Sequence, residues 1–178
     1  MLLVLFLPLP SRALRVGLIQ ALDVMPELRL PPENDYERSV LRNVEAFGWH
    51  CTSVSGEIPF SYTVGLHESY GGPELIMFGL KGSTAHSILG LCVERLKDGR
   101  GLELSEPNQE LIEGFNCFFV EVPRQLYNDY VYSALWFNAE VEFPLYQIVW
   151  PDPDGNFPWH SGATEDFRTA QPVLGNPR

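Results

Sequence analysis

The sequence predicts an α+β domain: a mainly antiparallel or mixed sheet of about five strands with two to three helices packed on it. Three observations predict this. Strand-like runs follow one another before the first internal helix, which a doubly wound parallel sheet with its strict alternation does not show. The chain has 178 residues, enough for one domain with a core of its own. Hydrophobic residues make up 45% and charged residues 20%, the balance of a globular chain.

The organised part begins at Asn34, whose side chain can cap a helix, with Glu37 three residues on in capping-box position. Tyr36, Val40, Leu41, Val44 and Phe47 then share one helical face, and Gly48 ends the helix. Trp49–Ser55 reads as a strand closed by a turn at Gly56. Phe60–Leu66 alternates: Phe60, Tyr62, Val64 and Leu66 point one way, and Ser61, Thr63 and Gly65 the other, with His67 next in that series. Glu68–Pro73 reads as a loop, on the strength of Gly71-Gly72-Pro73. Glu74–Leu80 is apolar on both faces, the pattern of a central strand. Ser83 is placed to cap a second helix, with Ala85, Ile88, Leu89, Cys92 and Leu96 as its core stripe. Asn116–Val122 is a strand, Tyr127–Phe137 a helix and Pro144–Trp150 the last strand, followed by the turn Pro151–Gly155. The tail from Gly162 is polar, with room for one helical turn.

Residues 1–33 read as an amino-terminal extension with little order of its own, and residues 34–178 as the single domain. The opening run MLLVLFLPLP has the length of an export signal, and Ser11-Arg12-Ala13 resembles a cleavage site. No basic residue precedes the run, however, and it is too short to span a bilayer. A start codon chosen too far upstream is another reading. Leu18, Ile19 and Leu22 are spaced to dock a short helix. The cysteine count is three, odd and without CxxC spacing, which fits thiols buried in a reducing compartment and a cytoplasmic protein.

The formal net charge is −11. A surface of that sign repels phosphate backbones and anionic lipids, and no Lys/Arg cluster offsets it. Nucleic-acid and membrane binding are therefore not expected, whereas a basic protein or a small molecule is compatible as partner.

The stretches Gly48-Trp49-His50, Phe60–Leu66, Pro73–Leu80, Ala134–Phe137 and Gln147–Asp152 occur together in one chain. In this combination the sequence resembles the bacterial family known as domain of unknown function 4262, over roughly Asp35–Leu174. The resemblance implies no activity and no catalytic residue. The cysteine-rich amino end carried by members of that family is lacking here, so the resemblance implies no metal or redox role.

Three groups of residues are candidates for a site. Ser61, Thr63, Gly65 and His67 leave a small polar strand face that could floor a pocket for a flavin or similar cofactor; the competing reading is close packing under a helix or plain exposure to solvent. The imidazoles and their neighbours, His50, His67, Glu68, His86 and His160, supply metal-ligand types, but no HxH, HExxH or Cys/His spacing joins them. Trp136, Trp150 and Trp159 could build an aromatic wall, although tryptophans more often close a core. Asp152, Asp154 and Gly155 echo half of a calcium loop without its terminal glutamate. No phosphate-binding glycine loop and no nucleophile elbow is present. The sequence thus favours a non-catalytic binding domain; the alternative is a flavin-type enzyme working on the Ser61/Thr63/Gly65 face.

Overall fold

The computed structural model describes residues 29–139 and 141–177. The expected docking of Leu18, Ile19 and Leu22 lies outside the described residues.

Helix α1 spans Asp35–Phe47. Asn34 caps it by accepting from the Glu37 backbone N–H at 2.9 Å, and the Glu37 carboxylate accepts from the Glu33 N–H at 2.6 Å. Gly48 closes it in the left-handed region, donating to the Val44 carbonyl. Val40 and Val44 are buried, but Tyr36 stays 43% exposed and Phe47 62% exposed, so the apolar face is narrower than the sequence stripe.

Strands β1 (His50–Val54) and β2 (Phe60–Val64) pair antiparallel, and β2 pairs antiparallel with β3 (Glu74–Phe78). Between β2 and β3 the chain departs from expectation. The strand stops at Val64, and Leu66–Tyr70 forms a short helix, α2, where a strand end and a loop were predicted. The cause is Glu74. Its fully buried carboxylate accepts from the backbone N–H groups of Gly65 at 2.8 Å and His67 at 3.3 Å and from the Thr63 hydroxyl at 2.6 Å. It thereby holds the first turn of α2 from the start of the next strand. Gly65, at φ 99°, makes the required bend, and a methyl there would meet both Val44 methyls at 2.8 Å.

Helix α3 runs Gly82–Lys97, starting ahead of the predicted cap Ser83. Its faces read as expected, with Ala85, Ile88, Leu89 and Cys92 buried. The sequence reading missed β4 (Asn108–Ile112), which forms a hairpin with β5 (Phe115–Glu121) around Glu113-Gly114. The predicted helix Tyr127–Phe137 is two: α4 (Tyr127–Tyr130), preceded by a 3-10 turn, and α5 (Tyr132–Asn138), broken at Val131 with φ −123° and ψ 45°. Strand β6 is Leu145–Val149, and α6 is Glu165–Ala170, capped by the Thr164 hydroxyl accepting from the Phe167 N–H.

The fold class holds: α+β, with a six-stranded mixed sheet in the order β1-β2-β3-β6-β5-β4. Every pairing is antiparallel except β3 with β6. Helices cover both faces of the sheet. On one face α1 and α5 close over Tyr62, Val64, Ile76, Phe78 and Leu145. On the other, α3 closes over Leu75, Met77, Cys117, Phe119 and Ile148. The carboxy-terminal segment adds a smaller cluster around Val120, Val149 and Phe157. No helix among the described residues is long and apolar enough to cross a membrane.

Candidate functional site

Apart from His50 and His86, which share one cavity, the residues singled out from the sequence do not converge. Ser61 and Thr63 are 1% and 0% exposed. The Ser61 hydroxyl bonds that of Ser53 at 2.9 Å, and Thr63 accepts from the Leu75 N–H while donating to Glu74. Helix α3 lies against β2 here. No open floor exists above Ser61 and Thr63, and Gly65 bends out of the strand, so the face envisaged for a flavin is packed shut. The alternation holds from Phe60 to Val64 but not at Leu66, which joins the opposite cluster, and of the readings of the Ser61/Thr63 side the packed one is what the structure shows. His67 sits half-buried in α2, its Nδ1 at 3.3 Å from the Gly72 carbonyl oxygen. Glu68 is exposed and paired with Arg29, whose guanidinium lies 3.6 Å above the Phe137 ring and donates to the Phe137 carbonyl.

Two of the other imidazoles come together: His50 and His86 line a cavity of about 400 Å³ with Asn43, Phe47, Trp49, Cys51 and Lys97, of which His160 is not part. His50 shares a hydrogen bond with Asn43 at 2.8 Å, and burial pushes its pKa down. His86 is exposed and lies over Trp49, with ring centroids 5.0 Å apart. His160 accepts from the Phe157 N–H. Among the described residues no three His, Cys, Asp or Glu side chains are placed to hold a metal ion. The Asp152 carboxylate accepts from the N–H groups of Asp154 and Asn156, which closes a turn. The tryptophans do not form one wall either. Trp136 packs on the α1/α5 core, and Trp159 stacks on Phe157 at 4.9 Å with 6° between planes.

Trp150 is different. It follows the last residue of β6, and four contacts hold it. Its backbone N–H donates to Gln171 Oε1 at 3.0 Å, and Gln171 Nε2 donates back to the Trp150 carbonyl at 2.8 Å. Its indole N–H donates to the Phe78 carbonyl at 3.1 Å, and Phe167 meets the ring edge-on at 5.2 Å. Gly79 makes room for this arrangement, because a methyl there would stand 2.9 Å from the Ala170 carbonyl oxygen and 3.4 Å from the indole. With its polar atom satisfied inside the fold, the indole walls a pocket of about 400 Å³. Leu80, Thr84 and Ile88 contribute from the end of β3 and from α3, Leu111, Ile112 and Phe115 from the β4–β5 hairpin, and Pro151 and Pro153 from the turn after Trp150. Thr84 supplies the one polar side chain, and no charged group lines the space. The chemistry on offer is apolar contact plus a single hydroxyl.

The model of the family described as "Domain of unknown function (DUF4262)" matches residues 43–164. The chain belongs to this family. The DUF4262 match begins later and ends earlier than the resemblance drawn from the motifs, yet it includes every lining residue of the Trp150 pocket, from Leu80 to Pro153. Phe167 and Gln171, which fix the indole, lie beyond the segment matched to DUF4262. No curated protein and no solved structure matches the chain. Of the pocket residues, Trp150 alone was a candidate by sequence. Leu111, Ile112 and Phe115 were missed because their hairpin was missed, although Glu113-Gly114 between Leu111-Ile112 and Phe115 was the available signal.

Proposed function

We propose that this chain is a non-catalytic binding module that takes a small apolar molecule in the Trp150 pocket. The observation carrying the proposal is the pre-set indole: a large apolar face held by Phe78, Phe167 and Gln171, at the wall of a concavity lined almost wholly by hydrocarbon. Its volume lies in the range of small-ligand pockets, and rigid aromatic walls bind with little ordering cost. A lone threonine hydroxyl suits orienting a ligand better than moving protons. We place the module in the cytoplasm, a reading supported by the free thiols of Cys51, Cys92 and Cys117.

The test is titration with 1-octanol, followed by tryptophan emission and by calorimetry. Saturable binding is expected. Thr84→Phe, at an exposed position on the pocket rim, fills the space and removes the binding while circular dichroism stays unchanged. Non-saturable partition, or equal binding by the filled variant, would sink the proposal.

A further inference from the structure

A second concavity lies away from Trp150, where the end of β5 meets the start of β6. It measures about 780 Å³. Its floor includes Phe119 and Tyr146, and Arg124, Glu121 and Glu142 stand around it. The position of Arg124 is prepared. Its guanidinium lies 4.9 Å from the Tyr127 ring centre and 5.4 Å from that of Phe143. Those two rings pack on each other at 5.3 Å, and the Tyr127 hydroxyl donates to the Phe143 carbonyl, so the platform under the guanidinium is fixed by the fold.

Among the described residues the charges of this cleft have no ionic partner. Arg29, Arg38, Arg95, Arg100 and Arg168 each pair with a carboxylate, and Arg42 donates to the Ser39 hydroxyl. Arg124 alone among the described arginines has neither kind of partner among the described residues. Glu121 and Glu142 likewise have no cationic partner among the described residues, and the Tyr146 hydroxyl has no hydrogen-bond partner there. Unpaired exposed carboxylates are common in a chain of net charge −11; the distinctive group here is the guanidinium, which lines the same cleft as Glu121 and Glu142 without pairing with either. The cleft presents a forked donor, two acceptors and an apolar floor. A ligand that satisfies all of them carries a carboxylate, a cationic amine and hydrocarbon between the two.

We infer that this cleft binds a short zwitterionic peptide with apolar side chains, its carboxylate on Arg124 and its ammonium toward Glu121 and Glu142. The size of the space suits two or three residues rather than a single amino acid. The site is independent of the Trp150 pocket, with which it shares no lining residue.

Calorimetry with the dipeptide Leu-Phe, N-acetyl-Leu-Phe and Leu-Phe amide reads the two charges separately. The free dipeptide is expected to bind about tenfold more tightly than either blocked form, the discrimination that one charge-assisted hydrogen bond supplies. Arg124→Gln, at an exposed site, makes the free dipeptide and the amide bind alike. Glu121→Gln with Glu142→Gln makes the free dipeptide and its acetylated form bind alike. Thr84→Phe, which fills the other pocket, leaves all three affinities unchanged. The inference is overturned if Leu-Phe does not bind, if the blocked peptides bind as well as the free one, if Arg124→Gln has no effect, or if Thr84→Phe abolishes binding.

Discussion

Replacing Glu74 by alanine removes the acceptor that organises the turn between β2 and β3. Three donors converge on the carboxylate: the Thr63 hydroxyl at 2.6 Å, the Gly65 N–H at 2.8 Å and the His67 N–H at 3.3 Å. The carboxylate and Thr63 are fully buried, so water does not readily replace the lost acceptor. Each orphaned buried donor costs about 1–3 kcal/mol, with the long His67 bond counting least. The emptied volume adds to the cost, while relief from burying a charge subtracts from it. The expected loss is about 3 kcal/mol, read as a lower urea midpoint with little change in slope. Glu74→Gln separates shape from charge. Burial pushes the Glu74 pKa up, against the pull of the hydrogen bonds from Thr63, His67 and Gly65. The folded state thus holds this proton more tightly than the unfolded chain does. The contribution of Glu74 to stability is fully present below the unfolded carboxyl range, falls as pH rises through it and levels off above the raised folded value. The stability of the wild type minus that of Glu74→Gln should therefore decline from acid toward neutral pH. Urea titrations of both proteins across that range measure it. A flat difference, or a loss under about 1 kcal/mol in the alanine variant, would refute the reasoning.

Gly65→Ala should cost about 1–3 kcal/mol, because φ 99° strains any L side chain and its methyl collides with Val44; thermal melting reads it. Thiol labelling of the native protein should reach the half-buried Cys51 first, although burial pushes its pKa up. Cys92 and Cys117, fully buried and pushed up to about 12, should label only with global unfolding, so their labelling should track the denaturant curve. Trp150→Phe keeps the pocket wall apolar but leaves the Phe78 carbonyl without its indole donor; about 1–2 kcal/mol of stability should go, along with the octanol-dependent emission.

What could be read from the sequence follows the range of the interactions. Helix α1 was legible down to its caps, because Asn34, Glu37 and Gly48 act within a few residues of the helix they terminate. Strand β3 was legible because unbroken apolarity admits few alternatives. Helix α2 was not, since what folds it is a carboxylate several residues downstream inside what reads as a strand. Val131 broke a helix that local pattern runs straight through; the residues flanking it carry ordinary helical spacing. The polar face of β2 shows the limit for sites: period-2 alternation identified Ser61 and Thr63 as neighbours on one side, but only tertiary placement of α3 and Glu74 decides that the side is filled. Trp150 was visible as a large aromatic after a strand. Its competence as a pocket wall depends on Phe78, Phe167 and Gln171, which no local pattern connects to it.

The parallel pairing of β3 with β6 is the seam between two antiparallel halves of the sheet. The strands before Lys97 build one half and those from Asn108 the other, joined by a largely exposed linker. A cut in that linker would leave two pieces, each with strands already paired to their own neighbours and each baring one interior edge that only the other piece fits. Such pieces would also bare the apolar faces that α3 and α5 cover across the seam, so each alone should be prone to associate with itself, and mixing them should restore the domain.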